Sequence, residues 1–515
     1  MRKISENMQM RMGVILSYTI EIVNIVSGLI YTPIMLSILG KNEYGLYQLV
    51  FSTVSYLSLI GLGFSSSYQR YYARAKTENE QEVARLNGMF AIVFCVMSAV
   101  CLICGALMLP NPELIFGNKL TPEELEKSKI LLAFMIFNMS LTFPNSLFTS
   151  NITAHKQFIF QRIIILAQRL VNPFICIPLL LMGYGSVGLV VVSTVLAVVA
   201  FISNSMFCVK KLKMKFSFSN LHFSKLKELW NFTFFIFLNQ IVNQINWNVA
   251  KFLLGRFYGT AVVAIYSVGG QLRGYFSQFS SAISNVFIPQ VNQIVAKYDD
   301  NTMLDKIFIK VGKTQAYVIF LIVTGFAVFG KSFIHLWAGE GYTESYYIAL
   351  MLFCVLIVPY IQNLGVEIQR AKNKHRVRSV VYLIMALLNV LISIPLIKSF
   401  GAIGAAIGTT ISIFLCNVIF MNIYYSHYIG LNIALFWKKI LRIVPGVIPP
   451  VIFGILFNSL VDAERWLTLI LGICIYIIIY CISIYLLGID AGDKKALKQK
   501  INRRAKNKFI EEKSK

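Results

Sequence analysis

The 515 residues are 57% hydrophobic and only 14% charged, with a mean hydropathy of +0.67 and a formal net charge of +25. A soluble chain carries roughly a quarter charged residues, so soluble globular and disordered classes are excluded. The apolar residues gather in runs of about 18 or more, enough to cross a hydrocarbon core of ~30 Å as a helix, and they lack the alternation of barrel strands.

Taken in chain order, the polar start MRKISENMQMRMG leads into an apolar stretch reaching about Leu39. That is too long for the apolar segment of a cleaved signal, so it is expected to be the first span. Further spans are predicted over roughly 46–67, 88–109, 130–152, 160–182, 186–208, 231–254, 261–288, 314–334, 346–368, 379–397, 401–425, 441–460 and 466–488. With the N-terminus inside, 37 of the 48 Lys and Arg residues fall in inner segments, eight in outer ones (Lys41 and Arg256 among them), and three within spans. The inner group includes Arg2, Lys3, Arg11, Lys225, Lys227 and the basic tail. This asymmetry predicts cytoplasmic termini and explains the basic charge by topology, with some attraction of the tail to anionic membrane lipid and no need for nucleic acid.

The nine Cys residues lie in apolar runs, and Cys101 and Cys104 have no partner pair or His nearby, so they read as packing residues. The five His are scattered without metal-ligand spacing, and no phosphate loop, nucleophile elbow or paired-carboxylate motif occurs. No catalytic residue, metal or cofactor is therefore predicted. Outer loops are short, the longest being PNPELIFGNKLTPEELEKSK, which leaves no room for an external catalytic domain.

An internal repeat organises the chain. Ala154-His155-Lys156, Asn172…Ile177-Pro178-Leu179, Tyr184-Gly185…Gly188 and Ser193-Thr194 are answered by Ala371-Lys372-Asn373, Asn389…Ile394-Pro395-Leu396, Phe400-Gly401…Gly404 and Thr409-Thr410. The offset is 217 residues, falling to 216 after a one-residue gap. Earlier, Leu39-Gly40 with Tyr44-Gly45 is matched to Leu254-Gly255 with Tyr258-Gly259. The predicted fold is all-α and membrane-integral, with about 14 transmembrane helices in two parallel six-helix repeats plus two extra C-terminal helices. The expected divisions are 1–215, 216–430, spans thirteen and fourteen in 431–490, and a basic cytoplasmic tail over 491–515.

The pattern LGKNEYGLYQL, the A-x-K step before span five and the twin I-P-L…G-x-x-G elements resemble bacterial polysaccharide-biosynthesis flippases of the multidrug/oligosaccharidyl-lipid/polysaccharide exporter superfamily. The resemblance covers 14 to about 425. It implies two six-helix bundles in a V that move a polyprenyl-diphosphate-linked oligosaccharide from the inner to the outer leaflet of the bacterial plasma membrane. It further implies alternating access coupled to H+ or Na+, with a glycan polymerase and export machinery as partners. A lipid II-type precursor flippase and a drug/cation antiporter of the same superfamily are the nearest alternatives. A membrane-embedded glycan polymerase or ligase is the alternative from another class.

Polar residues within spans are the candidate site, because an isolated base at mid-bilayer costs about 2.5–3.5 kcal/mol on the insertion scale. Arg273 lies about twelve residues into span eight, some 18 Å from an edge. It reads as lining a water-filled cavity to meet an anionic substrate, with a structural ion pair as the other reading. Ser277, Ser280 or Ser281 and Ser284 follow on its stripe, and Gln271 precedes it. In span seven, Asn239, Asn243 and Asn246, flanked by Gln240, Gln244, Asn248 and Lys251, would cradle sugar hydroxyls, or else bond neighbouring helices. Lys251 and Arg273 would hold the diphosphate, and Arg169 is a further substrate contact; Lys251 and Arg169 could each instead snorkel to an edge. Glu21, sharing a stripe with Asn24 and Gly28, is the candidate for ion coupling or for an ion pair with a cavity base; Glu367 is weaker, because Arg370 could neutralise it as a helix pair.

Overall fold

The computed structural model describes residues 6–61, 63–219, 224–298, 300–374, 376–461, 465–490 and 494, without the side chains of 6, 7, 10, 11, 224–233, 235 and 236. Arg2, Lys3 and almost all of the expected tail therefore lie outside the described residues, as do the side chains of the inner residues Arg11, Lys225 and Lys227.

Among the described residues all regular structure is helical. The order is α1 (Glu6–Ser55), α2 (Phe64–Glu78), α3 (Glu80–Ala106), α4 (Pro112–Phe116), α5 (Pro122–Ala154), α6 (Phe158–Leu181), α7 (Gly185–Met206), α8 (Ser224–Tyr258) and α9 (Thr260–Asn285). Then come α10 (Ile288–Lys297), α11 (Asn301–Ala338), α12 (Thr343–Ile361), α13 (Asn363–Ala371), α14 (Arg376–Ile413), α15 (Met421–Tyr424), α16 (Ile433–Leu441), α17 (Ile448–Leu460) and α18 (Trp466–Ser483).

Ten stretches are long and apolar enough to cross a membrane. The chain is thus a multi-pass membrane protein. Two of the ten, Met12–Glu78 with 67 residues and Arg376–Ile429 with 54, are far longer than the ~20 residues one crossing needs, so each holds two. Both contain a glycine break at the expected place: Gly40 at φ 69° and ψ 177°, and Gly401 at φ 56° and ψ −130°. A side chain resists such φ values, so glycine is what lets the chain turn there. α8 and α9, of 35 and 26 residues, are also long enough but fall outside those ten; they carry the polar stripes. Together these account for the expected count of about fourteen.

The repeat is visible in backbone geometry. Lys156 (φ 57°) and Asn373 (φ 54°) follow the ends of their helices at nearly the same positive φ, and Gly185 and Gly401 share φ 56°, the first at the start of α7 and the second at the break within α14. A further pair, Lys213 (φ 52°) and Gly430 (φ 81°), stops a π-helical turn in each half, at Phe207–Lys211 and Tyr425–Ile429. The earliest match needs one correction. The left-handed glycine answering Gly40 is Gly259 (φ 91°), since Gly255 lies inside α8 where Leu49 packs against it.

By packing, the chain forms two compact units, Met1–Leu272 with Arg376–Cys416, and Arg273–His375 with Asn417–Lys515. In the first, α1 and α6 run side by side in the same direction: Gly13 faces Phe158 near their starts, and Tyr31 lies beside Cys176 near their far ends. Tyr68, Phe90, Phe94 and Phe143 form its aromatic core, and α8 packs along α14. In the second unit, α18 is tied to α11 by Tyr476 Oη donating to Thr324 Oγ1 (2.8 Å) and Tyr480 Oη donating to the Tyr317 carbonyl (2.7 Å). Asp490, just past this helix, meets Lys313, Lys439 and Arg442 at 3.2–3.4 Å. Burial opposes its charge, but Lys439 and Lys313 outweigh that and hold the carboxyl below its ordinary pKa.

Candidate functional site

α6 places Arg169 at its midpoint, exposed, with no ion pair or hydrogen bond among the described residues. The parallel register of α1 and α6 sets Glu21, also exposed and unpaired among those residues, within about one helical turn (~5 Å) of Arg169 along the axis. An unpaired acid and base therefore share one layer of the first unit, deep within two adjoining spans.

Most of the other predicted residues are bonded. Asn239 Nδ2 donates to Ser379 Oγ at 3.2 Å. Asn246, 4% exposed, accepts from Asn389 Nδ2 at 3.4 Å, and Asn389 also accepts from Ser393 and Thr409. These two amides fasten α8 to α14. Gln244 turns the other way: its Nε2 donates to Ser58 Oγ at 2.8 Å, and its Oε1 accepts from Ser55 Oγ at 3.1 Å and from Asn248. Lys251 Nζ donates to Gln48 Oε1 at 3.2 Å, while Asn243 is exposed. Gln271 Nε2 donates to Thr32 Oγ1 at 2.7 Å, tying α9 to α1.

In the second unit, Arg273 and Ser277 are half-buried on α9. The lower part of their stripe packs against α11, where Gln315 Nε2 donates to Ser284 Oγ (2.7 Å) and Ser280 Oγ (3.3 Å). Glu367 is paired with Arg370 at 2.7 Å, as the helix spacing allows.

Three features escaped the sequence reading. Glu43 accepts from Ser186 N (2.6 Å) and Ser186 Oγ (2.8 Å) at the start of α7 and pairs with Lys127 at 2.9 Å, clasping three helices at the α1 break. Below α5, His155 Nδ1 bonds the Asn151 carbonyl (2.9 Å), so Nδ1 carries the hydrogen and Nε2 accepts from Tyr72 Oη (2.8 Å). Burial, with the Lys76 charge adding to it, holds this imidazole below its ordinary pKa against the opposing Asn151 bond. The third is a cleft of about 320 Å³ among α5, α6 and α7, lined by seven amide and hydroxyl side chains and five aliphatic ones, with no charged residue. Asn138, Thr142, Asn145 and Thr149 form one stripe of α5; Gln161 and Gln168 come from α6 and Asn204 from α7. The heptad spacing of Asn138 with Asn145 and of Gln161 with Gln168 was a readable signal; the convergence was not. Among the described residues no cluster of His, Cys, Asp and Glu could hold a metal.

The fold is shared with solved membrane transporters. The chain is similar to the lipid II flippase MurJ in an inward closed conformation (TM-score 0.70, 18% identity, covering 92% of this chain and 98% of that one). It is also similar to an inward-facing multidrug resistance MATE transporter of the MOP superfamily (TM-score 0.61, 14% identity, 81% and 99%). Residues 10–295 match the polysaccharide biosynthesis protein family, and the chain belongs to it. A probable low-salt glycan biosynthesis flippase, Agl15 of Haloferax volcanii, is 22% identical over 268 residues, 52% of this chain. The match spans 56% of that relative's length.

Proposed function

We propose that the protein is a flippase carrying a polyprenyl-diphosphate-linked oligosaccharide from the inner to the outer leaflet of a bacterial plasma membrane, for surface polysaccharide synthesis. It works by alternating access, with both termini in the cytoplasm, and it is a carrier rather than an enzyme. The observation that supports this most is Arg169, an exposed guanidinium at the midpoint of a membrane helix with no partner among the described residues. Such a charge is stable at that depth only beside water or an anion, and a diphosphate supplies the anion. The family membership and the glycan-flippase relative favour the same substrate class. Glu21, a turn away, is the natural proton- or Na+-linked partner of Arg169: the base turns to the diphosphate when substrate is bound and to Glu21 when it is not. Within the same unit, Lys251 and Asn243 of α8 are further contacts for the head group. A glycan polymerase would receive the product.

Purified protein in liposomes loaded with lipid-linked oligosaccharide extracted from the source membranes tests this. The glycan should become accessible to an impermeant oxidant faster than in protein-free liposomes, with its mass unchanged. A rate equal to that of protein-free liposomes would reject the flippase, and a lengthened glycan would make the protein a polymerase.

A further inference from the structure

The cleft among α5, α6 and α7 is not accounted for by helix packing. Asn138 lies at the midpoint of α5, and its Oδ1 is buried without a donor; so is the Oδ1 of Asn204, whose residue is 3% exposed. Asn204 spends only its Nδ2, which donates to Asn145 Oδ1 at 3.0 Å. A buried carbonyl oxygen without a donor costs about 1–3 kcal/mol, so two beside one cavity within an apolar slab call for an occupant that donates hydrogen bonds. Ala197 and Ala200 of α7 keep the space open. At about 320 Å³ it reaches the lower end of small-molecule sites and far exceeds the ~30 Å³ share of one water.

The lining carries hydrogen-bonding groups and no charge. A diphosphate finds no cation there, and a proton finds no titratable group. Sugar hydroxyls both donate and accept, as the amides do. We propose that this cleft is a binding subsite for the neutral glycan of the carried lipid, separate from the charged layer of Arg169 and Glu21. This rests on the flippase reading above. Since α6 contributes both Gln168 to the cleft and Arg169 to the charged layer, adjacent residues of one helix would divide the head group into sugar and diphosphate.

The test uses the full-length protein in nanodiscs with two probes: lipid-linked oligosaccharide extracted from the source membranes, and the same lipid after mild acid has removed its sugars. Wild type should bind the intact lipid about tenfold more tightly than the stripped one. Asn138→Leu, which breaks no side-chain bond, should reduce that preference to about threefold or less while leaving the melting temperature unchanged. Thr142→Val, whose hydroxyl bonds only its own helix, should lower it in the same direction. Arg169→Gln should instead weaken both lipids alike. An undiminished preference in Asn138→Leu and Thr142→Val would overturn the subsite. So would a fall in melting temperature with the preference intact, which means packing, or a lost Na+ dependence, which means a cation site. A wild type that binds neither lipid would instead reject the flippase reading itself.

Discussion

The amides of α8 and those of the α5–α7 cleft look alike in sequence: Asn and Gln at helical spacing within membrane spans. Their surroundings differ. On α8, Asn239, Gln244 and Asn246 each reach a side chain of a neighbouring segment, at Ser379, Ser58 and Asn389. In the cleft, the Oδ1 atoms of Asn138 and Asn204 reach none. Periodicity therefore identifies which residues must avoid lipid, but only the packed neighbours show whether their hydrogen bonds are spent on the fold or kept for a ligand.

The sharpest way to break the comparison is to remove an unspent group. Arg169→Gln should reduce glycan export in cells by about two orders of magnitude (~2.7 kcal/mol) at unchanged protein abundance. A spent group should behave in the opposite way. Gln244→Ala should lower stability by about 1 kcal/mol, within the range of interhelical bonds in membranes, with transport per folded molecule retained. Equal effects of the two on transport would erase the distinction. The smallest effect is the pH dependence at Tyr72–His155. Because burial lowers the imidazole pKa, the unfolded chain binds the proton more readily, so stability is full above pH 6.5 and falls as pH drops below it. A melting temperature measured from pH 7.5 to 5 should decline, and His155→Gln should flatten the decline.

Much of the fold could be read from the residues alone. Apolar runs located the spans, and the matched Asn, Ile-Pro-Leu and Gly-x-x-Gly elements located the repeat, down to Gly185 and Gly401 sharing one positive φ of 56°. The pair Lys213 and Gly430 was missed because a lysine in a left-handed turn leaves no compositional trace. Span fourteen, which had no readable role, packs on α11 through Tyr476, Tyr480 and Asp490. Those contacts join residues more than 150 positions apart. The candidate site was half legible. Arg169 and Glu21 stand out as charges in apolar helices, whereas the cleft draws single amides from three spans and exists only once they pack.

The central claim is that a positive charge at position 169 meets an anionic lipid head group on its way across the membrane. Initial translocation rates in liposomes of Arg169→Lys and Arg169→Gln, set beside wild type, test it most directly. The account predicts that lysine, which keeps the charge, retains within about tenfold of the wild-type rate, while glutamine loses about a hundredfold. Equal rates for lysine and glutamine would contradict it.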